Sequence, residues 1–240
     1  MNIPIFFALM LIAEVLGTVG GFGSSMLVMP LAGWFMPFDQ ALGLTAVFHV
    51  FSNGAKMFIF RQATDKRLLL IMGIPAVVGV LIGAKLTQLV DGYWMNMVLG
   101  AMLLVMSGFL FALPNYRIAP SHLNAVIGGS SSGLVAGLVG TGGAVRGATL
   151  AAFGLEKGVF ISTSAWIDMG VDLSRSVVYW SQGYVQGWVW IYLPGLAAVS
   201  LVGSYIGKRI LTHVPQALFQ RIVLAMVFLI GAITLINAVS

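Results

Sequence analysis

Three groups of residues have types and spacings that could do chemistry. Gly140-Thr141-Gly142-Gly143 interrupts a long apolar run, and Arg146 follows about one turn later. Gly in a helix interior costs about 1 kcal/mol relative to Ala, so this cluster breaks the helix. The new helix start exposes unpaired N–H groups and about half a positive charge, which with a fixed cation describes an anion site. Gly20-Gly21-Phe22-Gly23-Ser24-Ser25 forms a second such break, with two hydroxyls. The third group is a pair of triplets: His49, Asn53 and Lys56, and Asp168, Asp172 and Arg175. Each runs at i, i+4 and i+7 and so shares one helix face. They are candidates for coupling or gating. His49 and Asp168 suit proton handling, since imidazole titrates near neutral pH, and Asp172 and Arg175 are close enough to pair.

Plainer readings stand beside these. Gly can simply permit a tight turn. Arg146 or Lys56 can snorkel to headgroups from a helix end, and the triplets can be satisfied packing residues. Glu14, one turn before the first break, is a weaker candidate. Gly79-x-x-x-Gly83, Gly203-x-x-x-Gly207 and the Gly129, Gly133, Gly137 series read as close helix packing. Gly129-x-Ser131-x-Gly133 fits the hydrolase pattern G-x-S-x-G, but that pattern needs a strand-to-helix elbow and lies here in an apolar helix. His49, His122 and His213 are far apart, so no metal site is expected, and no cofactor.

The elements that must position these residues are membrane helices. The 240 residues are 59% hydrophobic and 8% charged, with mean hydropathy +1.00. That excludes a soluble domain, and continuous apolar runs disfavour a β-barrel. Zero Cys excludes thiol catalysis and disulfides. The net charge of +5 is mostly loop Lys and Arg, without the basic face that nucleic-acid binding needs. No Lys or Arg precedes the first apolar run, so the first helix is expected to stay in place and not to be a cleaved signal.

The runs predict helices at about 4–19, 24–35, 40–60, 68–90 and 93–113, then at about 122–139, 143–153, 158–180, 187–209 and 216–238. The second set repeats the first. Gly20 and Gly23 correspond to Gly140 and Gly143, the first triplet to the second, and the Gly79 pair to the Gly203 pair. Arg61, Lys66 and Arg67 place the 61–67 loop inside, whereas its counterpart 181–186 has no charge and fits outside. Lys208, Arg209 and Arg221 flank a second-half turn whose counterpart carries only Lys85 and Asp91, so the charge bias swaps sides. The expectation is an all-α polytopic membrane protein, a single membrane domain (1–240) of two inverted repeats, about 1–113 and 121–240. Each repeat is a Gly-broken hairpin, 4–35 or 122–153, plus three spans, and both termini face outward.

Together these residues resemble the TauE/SafE family, the sulfite exporter-like membrane proteins, over essentially the whole chain. The resemblance rests on the first Gly break followed by Pro30, the turn into Ala41-Leu42-Gly43-Leu44-Thr45-Ala46, and Ser52-Asn53-Gly54-Ala55 leading to Arg61. It rests also on the second break with its following Ser162-Thr163-Ser164-Ala165. Phe22 departs from the pattern, where another Gly is common. The resemblance implies a transporter, usually described as an exporter, of sulfite, sulfonates or related small anions, in a bacterial inner membrane. The anion would sit between the hairpin tips, against Gly20, Gly21, Gly23, Ser24, Ser25, Gly140, Thr141, Gly142, Gly143 and Arg146. An anion channel or an intramembrane enzyme are the alternatives. Expected partners are the small anionic substrate and lipid, with homo-oligomerisation left open.

Overall fold

A computed structural model describes residues 2–20, 23–60, 64–113, 119–213 and 215–239, which hold ten α-helices and no strand. Expectations for Gly21, Phe22 and Arg61 lie outside the described residues. The first five helices are Ile3–Gly20 (α1), Ser25–Gly33 (α2), Phe38–Ile59 (α3), Lys66–Leu86 (α4, continued by a 3-10 turn at Thr87–Leu89) and Gly92–Ala112 (α5). The next five are His122–Val139 (α6), Gly143–Ala151 (α7), Lys157–Ser181 (α8), Val189–Leu211 (α9) and Gln216–Val239 (α10). The order of lengths recurs: α1 and α6 have 18 residues, α2 and α7 have 9. Every helix begins and ends within a few residues of its expected bounds.

Among the described residues four segments are long and apolar enough to cross a membrane: α1, α4 with its 3-10 turn, α5 and α9. Large apolar side chains such as Leu70, Ile74, Val105 and Ile191 stand exposed on the bundle, as lipid-facing residues do. The two helices that carry the triplets, α3 and α8, have a different place. They pack against each other, and also against α9 and α4 respectively. Their charged faces therefore point inward, where a bilayer leaves ionised groups no water. Around them α1 lies on α9, α6 on α4, and α5 on α10, so each hairpin rests on a long helix from the other half.

Small residues set the distance between these helices. A Cβ on Gly133 would lie 2.0 Å from the Ala76 carbonyl oxygen, and one on Gly83 2.2 Å from that of Leu134. Gly79, Gly129 and Gly137 are equally crowded by backbone across the α4–α6 contact. Without a hydrophobic force between helices in lipid, such close approach is what holds them together. On α9, a Cβ at Gly203 would lie 2.8 Å from Glu14 Cγ, and one at Gly207 2.7 Å from Thr18 Cβ. The expected packing role of these glycines is what the helix contacts show.

A methyl group is therefore expected to have opposite effects at two places. Gly133→Ala must push α4 and α6 apart and should lower stability by about 1–3 kcal/mol. Gly33→Ala meets nothing within 4 Å at the end of α2 and should be neutral or mildly stabilising. Thermal unfolding of the purified variants in detergent compares them; equal melting temperatures would contradict the tight α4–α6 contact.

Candidate functional site

The two Gly breaks are where the hairpins turn, and the turns meet. Gly23 has φ 81° and Gly140 has φ 80°, both left-handed and suited to Gly. Gly140 ends α6, while Gly23 stands just before α2, so the two left-handed residues are not the ones that the repeat aligns. A Cβ on Gly140 would lie 2.8 Å from Met29 Sδ, and one on Gly23 3.2 Å from Arg146 Nη2. Thr141 Oγ1 donates to Ser25 Oγ at 3.2 Å. The tip of each hairpin thus touches the short helix of the other.

The two short helices start without side-chain caps, Ser24 and Gly142 being their N-cap residues. Side-chain caps are present on α4, α5 and α6, where Asp65 accepts from Leu68 N–H, Asp91 from Trp94 N–H and Ser121 from Asn124 N–H, while α3, α8 and α9 also start without one. The uncapped starts of α2 and α7 border a small cavity of about 20 Å3 between the tips, α3 and α8. From the tips it is lined by Gly23, Ser24, Ser25, Gly140, Gly142 and Arg146, and from the triplets by His49, Asn53, Lys56, Asp168, Asp172 and Arg175. Gly20, Thr141 and Gly143 are buried beside it without lining it. A second cavity shares Gly23, Asn53, Lys56 and Asp168 and runs towards Phe160 and Ile161 near the start of α8. That end of α8 meets the basic loop, where Asp65 N–H donates to Thr163 Oγ1 at 3.0 Å.

The opposite side is closed. A Cβ on Gly43 would lie 2.4 Å from the Tyr184 carbonyl oxygen. Tyr179, fully buried, donates to the Gly137 carbonyl at 2.5 Å, and Gln182 Nε2 donates to the Ala84 carbonyl at 2.8 Å.

Three ion pairs surround the cavity, and each has a different degree of closure. Lys56 Nζ lies 2.9 Å from Glu14 Oε1. The same carboxylate accepts from Ser52 at 2.7 Å and Ser204 at 3.0 Å through Oε1, and from Ser24 at 2.6 Å through Oε2. Glu14, fully buried, therefore ties α1 to the start of α2, to α3 and to α9. Ser24 is consequently a donor to Glu14. Lys56 is 7% exposed and stands inside the bundle, where snorkelling would have carried it to the surface.

The second pair is Arg175 with Asp172, Nε to Oδ1 at 2.7 Å, while Asn53 Nδ2 donates to Oδ2 at 2.6 Å. Arg175 Nη1 also donates to the Gly140 carbonyl at 3.1 Å and so holds the second tip. Its Nη2 faces His49 Nδ1 at 3.1 Å. A guanidinium only donates, so Nδ1 must accept and the imidazole proton sits on Nε2. That buried Nε2 is without a partner among the described residues. An unmatched buried donor costs about 1–3 kcal/mol and calls for a function or a ligand.

In the third pair Arg146 Nη1 donates to Asp168 Oδ1, and Arg146 Nε donates to Ser164 Oγ at 2.9 Å. Arg146 is 5% exposed, buried and committed to a carboxylate. No short-range spacing in the sequence links Arg146 to Asp168. The sequence signals for Glu14 are an acid alone in an apolar helix and Thr18 one turn on. No group of His, Asp or Glu suited to a metal appears among the described residues.

Apolar helices around a charged core define an integral membrane protein. Residues 6–234 match the family described as sulfite exporter TauE/SafE, and the chain belongs to that family of membrane transporters. It is 22% identical over 230 residues to a protein of Bacillus subtilis (strain 168) named probable membrane transporter protein YdhB, covering 90% of this chain and 93% of that one.

Removing one member of a buried pair leaves an uncompensated charge, at a cost of about 3–5 kcal/mol. Glu14→Ala is expected to lower the unfolding temperature sharply, and adding Lys56→Met should recover part of the loss. A Glu14→Ala protein as stable as wild type would contradict the role of Glu14 as the joint of α1, α3 and α9.

Proposed function

We propose that this protein is a secondary transporter that exports a small sulfur-containing oxyanion, such as sulfite or a sulfonate. The family description and the name of the Bacillus relative support transport and, in the first case, the substrate class. The observation that carries the site is the buried, partnerless Nε2–H of His49 in a cavity flanked by two uncapped helix starts. An oxyanion there would accept from His49 Nε2–H and from backbone N–H groups of both tips, with Arg146 and Lys56 supplying positive charge. His49 is then a binding donor, because a proton on Nδ1 would face the Arg175 guanidinium.

Access alternates as α1–α5 and α6–α10, taken as inverted repeats, rock about this site. The mutual packing of the two halves and the recurrence of element lengths support that relation. Lys66 and Arg67 beside the second cavity support a cytoplasmic side for it in a bacterial inner membrane, and both termini would then lie outside. The arrangement described above is then open inward and closed outward.

Flux of sulfite, sulfoacetate and taurine into liposomes tests the reading. Saturable flux with counterflow is expected for at least one of them, and Arg146→Ala should lower it at least about tenfold. His49→Phe loses a hydrogen bond to a charged ligand, about 1.5–3 kcal/mol, or about tenfold to about a hundredfold in affinity. His49→Gln, which keeps a donor, should lose less. If none of the three compounds moves, or Arg146→Ala leaves flux unchanged, the site is misassigned; unitary currents without counterflow would instead indicate a channel.

The chain has no Cys, so a single reporter thiol is unambiguous. Ile161→Cys, in the inward cavity, should react with an impermeant maleimide from the cytoplasmic face. Leu42→Cys should stay unreactive from the opposite face, and labelling from outside alone would reverse the assigned direction of opening.

A further inference from the structure

We propose that Asp168 is the proton site of this transporter: the incoming anion takes Arg146 from Asp168, and a proton takes the place of the guanidinium on the carboxylate. This rests on the reading of the cavity as an anion site.

Charge around the cavity is balanced before any anion arrives. Lys56, Arg146 and Arg175 are each matched by one carboxylate, from Glu14, Asp168 and Asp172. An anion that entered alone would leave one unmatched negative charge in a bundle that lipid surrounds, which is costly. A proton entering with it restores the balance, and the only bonds exchanged are hydrogen bonds. The question is which carboxylate can accept that proton.

Two of the three are closed to it. Both oxygens of Glu14 accept from side chains, and its own side chain is 0% exposed. Both oxygens of Asp172 are held, one by Arg175 and one by Asn53, each in a bond of 2.7 Å or less. Asp168 differs on every count. Only Oδ1 has a partner, Arg146, while Oδ2 has none among the described residues. Its side chain is 15% exposed, the most open of the three acids, against 8% for Asp172. It also lines both cavities, so a proton arriving from the basic-loop side reaches it beside the anion site. The groups facing it are Arg146 from α7, Lys56 with its Glu14 partner and His49 from α3 and α1, and Asp172 and Arg175 from α8 itself.

Arg146 has the complementary geometry. Its Nη2 borders Gly23 at the opposing tip, while Nη1 holds Asp168. A sulfonate seated between the tips competes with the Asp168 carboxylate for the same guanidinium. The competitor is weakened when it carries a proton, since a neutral acid is a poorer partner for a cation.

The test is equilibrium binding of radiolabelled isethionate, a sulfonate that stays ionised from mildly acidic to mildly alkaline pH, to the intact protein in nanodiscs. Uptake of one proton per anion predicts that wild-type affinity falls with rising pH, by about tenfold per unit once Asp168 is ionised in the free protein. Asp168→Asn should bind at every pH about as tightly as wild type does at low pH, with the slope gone. Retention of the wild-type slope by Asp168→Asn assigns the proton to another group and overturns the proposal. Wild-type affinity that is flat with pH overturns it too, while leaving the anion site standing; no binding at any pH removes the anion site itself. If Asp168→Asn does not fold, calorimetry of wild type in two buffers of different ionisation heat counts the protons directly. About one taken up per isethionate supports the proposal, and none refutes it.

Discussion

Ionised groups inside a lipid-surrounded bundle must be matched, because water is not there to solvate them. Six charges lie in the core as Glu14–Lys56, Arg146–Asp168 and Arg175–Asp172, and much of the architecture follows from keeping them so. Glu14 gathers Ser24, Ser52 and Ser204 around one carboxylate, which fixes the first tip against α3 and α9. Arg175 does the same for the second tip through the Gly140 carbonyl and reaches α3 through His49. The two tips are thus held by unlike devices, an acid with hydroxyl donors on one side and a guanidinium on carbonyl and imidazole on the other.

Polar cores of this kind need helices that approach closely, and the glycines supply that. The Gly203–Glu14 contact joins the two requirements, since a side chain on Gly203 would collide with the stem of the central carboxylate. Gly17 is pressed against the Ser24 backbone, with a hypothetical Cβ at 2.2 Å from Ser24 Cα, and so brings that hydroxyl within reach of Glu14. Packing and electrostatics are one constraint at these positions.

The helices and hairpins were legible in the sequence because their signals are local: apolar run lengths, Gly clusters and i, i+4, i+7 spacing. So was the shared face within each triplet, whereas the meeting of the two faces depends on how α3 packs against α8. The Asp172–Arg175 pair was legible as well, three residues apart on one helix. Partners on different helices were not. Glu14 with Lys56 and Arg146 with Asp168 depend on how helices are placed against each other, and no short-range pattern encodes that. The tips show the limit of repeat matching as well. Gly20 and Gly23 align with Gly140 and Gly143, yet the left-handed backbone falls on Gly23 and Gly140. Each turn is closed by its own neighbours, Met29 and Leu42 at one and Arg146 at the other.

The distribution of these bonds between the halves bears on the proposed motion. All three ion pairs join residues of the same half: Glu14 and Lys56 in α1–α5, the other two in α6–α10. The bonds that cross between halves, among them Asn53 to Asp172, Arg175 with His49, Ser204 to Glu14, Thr141 to Ser25 and Gln182 to the Ala84 carbonyl, each have a neutral partner. Separating one half from the other therefore breaks hydrogen bonds with net values of about 0.5–3 kcal/mol each, besides the close packing of α4 on α6, α1 on α9 and α5 on α10, and leaves the three buried ion pairs intact. Had the ion pairs crossed the boundary, the same movement would strand buried charges at about 3–5 kcal/mol for each broken pair. Under the proposed motion each half would therefore carry its own buried charges already paired.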